Sequence, residues 1–269
     1  MPLEKPEIYV LVGEIRKKAM PTSEVIVKTA LSELGLTRAS AINPSGKAPE
    51  DILENFNVYL RDVFDKALEV LEKFESQVYP KALRELCNLR ANNLNIIETS
   101  NTQMPFVNKV AEALDMLYPD LWHVLLSRSQ SRKQRGGKDF EEQLGQLLKL
   151  ADIPFDKQTR KYHSDFILPS TEAFARDRTR CFLLSAKRTL RERWQTVVNE
   201  IYETRCPNAF LCTTDEEVNQ SVIDRLRQYN IHLVIWDKPK QEKFKDEPVV
   251  LGYTQLANLE IQTFRKYWG

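Results

Sequence analysis

The chain is short of the residues that usually announce a site. Of its 269 residues only four are cysteine, three histidine, four methionine and eight glycine. Cys87, Cys181, Cys206 and Cys212 are widely spaced. They form neither a zinc pattern nor the framework of a small secreted domain, and they read as reduced core thiols. His123, His163 and His232 are equally scattered and read as structural. An excess of one charge is also missing: 39 Lys and Arg against 38 Asp and Glu leave a formal charge of +1. Nothing global draws such a chain to a polyanion, so contact with nucleic acid requires local segregation of charge. No apolar run approaches the roughly 20 residues that span a bilayer. The amino terminus mixes acids and bases and lacks a signal-peptide pattern. A cytoplasmic protein without membrane contact is expected. The spaced Gly-Lys-Ser/Thr pattern of a phosphate-binding loop is absent as well, which argues against a nucleotide cofactor.

What is present divides near residue 125. Residues 1–125 read as mainly helical, a scaffold, DNA-contact or dimerisation region. Ser23 opens a helix that Gly35 closes. Residues 37–47 are rich in small and turn residues and are expected to form a loop. Pro49, Glu50 and Asp51 start a long helix whose apolar spacing lasts to Tyr79, where Pro80 is expected to interrupt it. Further helices are expected over 82–89 and 106–117. Residues 126–269 change character. Ser127 to Lys138 reads as a basic loop carrying Arg128, Arg132, Lys133, Arg135 and Lys138 beside the Gly136-Gly137 pair. This is a candidate contact to a DNA backbone, because glycine lets main chain approach a phosphate and the helix expected over 139–150 begins there. A solvated basic loop is an equal reading of this stretch alone.

The most informative segment is RCFLLSAKRTLRERWQTVVNE, residues 180–200. Cys181 to Ala186 fits a buried central strand, with Lys187 at its end. Alternation puts Ser185 and Lys187 on one face and Leu184 and Ala186 on the other. From Arg191 the period becomes helical, with Trp194, Val197, Val198 and Ile201 as the apolar stripe. Upstream, the strand around residues 162–169 presents Asp165. Downstream, residues 209–213 and 231–236 read as strands about the helix expected over 216–229, a parallel crossover in a mixed sheet.

Asp165 and Lys187 therefore fall on consecutive strands, 187 − 165 = 22 positions apart, and Glu200 follows on the next helix, 200 − 187 = 13 positions on. Carboxylates and a lysine are the groups that metal-dependent phosphodiester cleavage requires. Carboxylate oxygens hold Mg²⁺, and an ammonium orients water or offsets developing charge.

Ser164-Asp165, Ser185-Ala186-Lys187, Arg191-Glu192-Arg193 and Glu200 together resemble the Type II restriction endonucleases of the PD-(D/E)XK superfamily. The resemblance is to the branch that recognises CCGG or interrupted CC and GG cores, and it covers roughly residues 128–213. Serine stands where the superfamily has proline before Asp165. Ser185 stands where the general motif has an acid; in this branch the neighbouring helix supplies that carboxylate, and Glu200 occupies the matching position. The resemblance implies an α/β restriction-endonuclease-like core, a mixed central sheet flanked by helices, with the helical region attached. It implies Asp165, Glu200 and Glu141 as metal-binding acids, with Glu142 the alternative to Glu141, and Lys187 as the residue that positions the nucleophile. It also implies that Arg191, Glu192 and Arg193 read bases. Arginine forks match guanine O6 and N7, and a carboxylate accepts from cytosine N4. Mg²⁺, double-stranded DNA and a second copy of the chain, in a homodimer or a larger oligomer, are the expected partners. Two other readings remain from the residues: a junction-resolving or repair nuclease of the same superfamily, and a non-catalytic DNA-binding protein.

Overall fold

The computed structural model describes residues 5–39, 45–91, 94–95, 105–159, 164–190 and 194–268. His163 and the triplet Arg191, Glu192 and Arg193 lie outside them. The elements run in order α1 (Lys5–Ala19), α2 (Ser23–Glu33), α3 (Pro49–Glu54), α4 (Phe56–Leu89), α5 (Phe106–Leu150), β1 (Asp156–Thr159), β2 (Ser164–Leu168) and α6 (Thr171–Arg176). Then follow β3 (Phe182–Lys187), α7 (Trp194–Glu203), β4 (Ala209–Thr213), α8 (Gln220–Gln228), β5 (Ile231–Ile235), α9 (Asp237–Lys243) and β6 (Val250–Gly252), with helical turns over 253–265. Among the described residues, no helix is long and apolar enough to cross a membrane.

By packing, the chain forms two units, one of residues 27–67 and 136–269, the other of residues 1–26 and 68–135. The first is built on a six-stranded sheet in the order β1-β2-β3-β4-β5-β6. The β1–β2 and β2–β3 pairs are antiparallel, and β3 to β6 run parallel. This is the expected mixed sheet, with α8 as the crossover between β4 and β5. Strand alternation divides its core in two. Phe166, Leu168, Phe182, Leu184, Ala186, Phe210 and Cys212 face Phe140, Leu144, Leu147 and Leu148 of α5, together with Ile52, Leu53, Phe56 and Leu60. Ile167, Leu183, Leu211 and Leu233 face Phe174, Val198, Ile201, Val222, Ile223 and Leu226 of α6, α7 and α8. Each fully buried large apolar side chain contributes about 1.5–3 kcal/mol, so the two faces together hold the sheet in place.

Helix ends follow the local chemistry. Gly35, at φ +66°, ends α2, with Leu36 N–H donating to Leu31 at 2.9 Å and Gly35 N–H to Ser32 at 3.1 Å, the Schellman arrangement. Asp152, at φ 59°, ends α5 in the same way, and Ile153 N–H donates to Leu148 at 2.9 Å. Arg38 and Lys47, near the two ends of the loop expected over 37–47, form a bridge, and residues 40–44 of that loop lie outside the described residues.

The second unit contains α1 and the portions of α4 and α5 within residues 68–135. Val12, Tyr79, Ala82 and Val124 form a small core. Beside it Glu75, only 3% exposed, receives Arg128 at 2.7 Å and Arg132 at 2.6 Å. Burial alone raises the Glu75 pKa, but its hydrogen bonds and charge attraction to Arg132 and Arg128 prevail, and the carboxyl lies below its ordinary value.

Three sequence expectations are corrected. The helix starting at Pro49 is broken at Asn55 into α3 and α4. Pro80 does not interrupt α4, because Val78, Tyr79, Ala82 and Leu86 are buried along it, which outweighs the ~3 kcal/mol that an interior proline costs. The basic stretch 127–138 is not a loop. It lies wholly within α5, which runs 45 residues through Pro119 and both glycines. Each glycine costs a helix about 1 kcal/mol, and the Arg128 and Arg132 pairs with Glu75 and the burial of Phe140 and Leu144 compensate.

Candidate active site

The sheet brings Asp165, Ser185 and Lys187 together on the face covered by α6, α7 and α8. Phe166 pairs with Leu184 and Ile167 with Leu183, and continuing that antiparallel register sets Asp165 level with Ser185. Three donors converge on one oxygen, Asp165 Oδ2: the Ala186 amide at 2.7 Å, Lys187 Nζ at 3.0 Å and Ser185 Oγ at 3.2 Å. The other oxygen, Oδ1, stays outside this set. The Asp165 side chain is 16% exposed and that of Lys187 34%, so the pair stands at the rim of the sheet, open to a ligand. The main-chain hydrogen bond from Ala186 fixes the carboxylate to which the lysine is paired.

Ser164 fixes the strand behind Asp165. Its side chain is buried, and Oγ lies 3.1 Å from the Leu184 carbonyl and 2.9 Å from that of Phe166, donating its proton across the β2–β3 pair. Where a proline would hold the backbone by its ring, this serine ties the strand at the same place. Ser185, at the position of the missing acid, is buried and donates to Asp165.

The other expected acids sit apart. Glu200 lies half-buried on α7, between Val198 and Ile201, which pack on the same sheet face as Lys187. Glu141 is half-buried on α5, whose Phe140 and Leu144 pack on the opposite face. Glu142 is engaged by Lys157 at 2.5 Å and Gln146 at 2.7 Å. Burial would raise its pKa, yet the lysine and glutamine prevail and it lies below its usual value. Among the described residues no three His, Cys, Asp or Glu side chains gather into a group that could hold a metal ion. Asp165 and Glu200 lie on elements of the same sheet face, and carboxylate oxygens are the hard ligands that a divalent cation takes. Mg²⁺ keeps several waters and needs only one or two protein carboxylates.

Of the basic residues, Arg132 is committed to Glu72 and Glu75, and Arg135 donates to the Pro21 carbonyl. Lys133 and Lys138 are exposed on α5. The four cysteines are free thiols, three of them buried. Burial pushes Cys206 up to about 12, which makes it inert at neutral pH.

Two features escaped the sequence reading. One is the Ser164 tie. The other is the end of β4 and the loop after it, where Thr213, Thr214 and Asp215 hold the segment that follows Lys187. The sequence signal, Thr-Thr-Asp after a buried strand, is visible only once the β3–β4 register is known.

Comparison with known proteins gives a consistent picture. The family model described as EcoRII C terminal matches residues 98–254, more than half of the chain and the whole of the sheet. The Type II restriction enzyme SsoII of Shigella sonnei is 26% identical over 98% of this chain and 85% of its own length. Among solved structures, metal-depleted Ecl18kI in complex with uncleaved, modified DNA superposes with a TM-score of 0.84 at 25% identity, covering 100% of this chain and 87% of that one. The restriction endonuclease PspGI in complex with substrate DNA shares the fold, with a TM-score of 0.61 at 18% identity, over 92% and 94% of the two chains.

Proposed function

Because the chain belongs to the EcoRII C-terminal family, and is thereby an enzyme of the Type II restriction endonuclease class, we propose that it cuts double-stranded DNA at a palindromic site with a CCGG core, or with CC and GG separated by one base. The observation that carries this reading is the Lys187–Asp165 pair at 3.0 Å on neighbouring strands, anchored by the Ala186 amide.

Asp165 and Glu200, with Glu141, are the carboxylates that would hold Mg²⁺. When bound, that ion supplies charge neutralisation at the phosphate and lowers the pKa of a coordinated water. The residues of the chain do the rest. Lys187, held at Asp165 Oδ2, directs its remaining N–H donors towards the attacking water and the developing phosphorane charge. Hydrolysis forms a bond from water oxygen to phosphorus and breaks the phosphorus–oxygen bond to the leaving strand. Arg191 and Arg193 fork onto guanines and Glu192 accepts from cytosine, a few residues from the reacting phosphate. The exposed Lys133 and Lys138 contact the backbone, with Arg132 and Arg135 in supporting places. Residues 126–269 form the endonuclease core, residues 1–125 the scaffold, DNA-contact or dimerisation region, and the working form is a cytoplasmic homodimer.

Substitution of Lys187 by alanine tests this directly. Removing one transition-state donor costs about 100- to 1000-fold in rate, so digestion of a sequenced plasmid should stop while gel-shift binding of the same DNA persists. Unchanged Mg²⁺-dependent cleavage by that variant would sink the proposed site. Preference of the unaltered protein for branched over linear duplex would replace restriction with junction cleavage, and binding without cutting across metals and sequences would leave a DNA-binding protein.

A further inference from the structure

Between Lys187 and Arg191 lie only Arg188, Thr189 and Leu190, and the end of β4 with the loop after it grips this bridge on its backbone. The Arg188 carbonyl accepts from Thr214 Oγ1 at 2.9 Å and from Thr213 Oγ1 at 3.3 Å. The Leu190 amide donates to Asp215 Oδ2 at 3.0 Å. The grip is itself braced. Asp215 Oδ1 accepts the Glu217 amide at 3.1 Å, and the Asp215 amide donates to Thr213 Oγ1, also at 3.1 Å. The Thr213 carbonyl accepts from the wholly buried Tyr253 hydroxyl at 2.9 Å. Side chains lock the bridge as well. Leu190 is buried in the core under α7, and the Arg188 guanidinium lies over the Phe64 ring at 5.4 Å. A Cβ on Gly136 would come within 2.7 Å of that guanidinium, so the glycine of α5 makes room for it. The parallel pair Lys187–Thr213 sets the whole arrangement in register.

Resting on the reading of Lys187 as catalytic and of Arg191, Glu192 and Arg193 as base-reading, we infer that Asp215, with Thr213 and Thr214, is a positioning clasp that keeps base reading and strand cutting in register. Leu190, the residue before Arg191 in the sequence, is held by Asp215, and Lys187 is held by its pairing with Thr213 at the other end of the same bridge. A carboxylate suits the task because a charge-assisted bond to a backbone N–H is roughly twice as strong as a neutral one. Asp215 touches neither water nor phosphate in this role; it acts through the segment that it holds.

The test compares Asp215→Ala, Asp215→Asn and Thr214→Val with the unaltered protein. The readout is single-turnover cleavage of a duplex bearing the site, and of duplexes with one base pair of the site changed. A displacement of about 1 Å costs about 100-fold in rate. Asp215→Ala is therefore expected to slow cutting at the site by about 10- to 100-fold and to narrow the ratio between correct and altered sites. Asp215→Asn keeps one acceptor oxygen for the Leu190 N–H but turns its NH2 towards the Glu217 amide and loses the charge, so it should restore both only in part. Thr214→Val, which removes a single hydroxyl, gives the same narrowing to a smaller degree and serves if Asp215→Ala does not fold. A folded Asp215→Ala protein with unchanged rate and ratio overturns the clasp. So does a rate loss with an unchanged ratio, which a merely structural role would produce. Lys187→Ala, run in parallel, separates the two ideas: if it cuts normally the underlying site is wrong, and if it is dead while Asp215→Ala is normal only the clasp fails.

Discussion

Asp165 carries three donors on a single oxygen, and that asymmetry does more than any other contact to define the site, since it holds Lys187 in place while leaving Oδ1 turned to other partners. Away from this pair, on β5, a second titratable side chain is half-buried. His232 stacks on Phe210 at 5.3 Å, and its Nδ1 has no hydrogen-bond partner among the described residues. Burial lowers its pKa below 6.5, with Glu260 pulling weakly the other way. In the unfolded chain the ring titrates near 6.5, so between that value and the lower folded one the unfolded state binds more protons, and stability falls as pH drops through this window. Above pH 6.5 the contribution is complete. Urea unfolding from pH 7.5 to 5 should show the midpoint falling below pH 6.5, and His232→Phe, which keeps the stack, should flatten that fall. An equal fall in the variant would place the acid sensitivity in another group, and not in Glu75 with its arginines, whose contribution is lost only as pH drops below about 4.5.

At the scale of elements, α5 is where sequence and structure part. Its residues 127–138 carry five basic side chains and two adjacent glycines, a local pattern that favours a loop. The partners that make it helical are distant in sequence: Glu72 and Glu75 on α4 bind Arg128 and Arg132. Neither Gly136 nor Gly137 has a positive φ, and a Cβ on Gly137 would meet nothing within 4 Å. Gly137→Ala should therefore stabilise the protein by roughly 0.5–1 kcal/mol, read as a higher thermal midpoint with unchanged duplex affinity. A folded variant that loses DNA binding would restore the glycine pair as a phosphate contact. The strands, by contrast, were legible because an apolar run bounded by charge leaves few choices: Cys181–Ala186 and Ala209–Thr213 lie within one residue of β3 and β4. The Asp165–Lys187 contact was legible for the same reason, since alternation fixes which face each side chain takes. Pro80, Asn55 and the Asp215 clasp were not, because each depends on packing or register that no local pattern encodes.

At the scale of the whole molecule, a formal charge of +1 leaves no general attraction for DNA, and among the described residues the chain has one Asp165–Lys187 site. On the proposed reading, one site cuts one strand. Cutting both strands of a palindrome at once requires a second copy related by a two-fold axis, each copy facing the strand that its own half-site orients. This makes a prediction about mixtures rather than about single variants. When unaltered protein and Lys187→Ala protein are unfolded together and refolded, half of the dimers formed from equal amounts should contain one working site. On a supercoiled plasmid bearing one recognition site those hybrids should release nicked circles, while the unaltered protein alone yields linear DNA. The nicked product should rise with the share of Lys187→Ala protein and then decline as inactive dimers take over. If the mixtures yield only linear DNA, in proportion to the unaltered protein present, the subunits do not share one duplex as a dimer, and each chain, or a larger assembly, must supply both cuts itself.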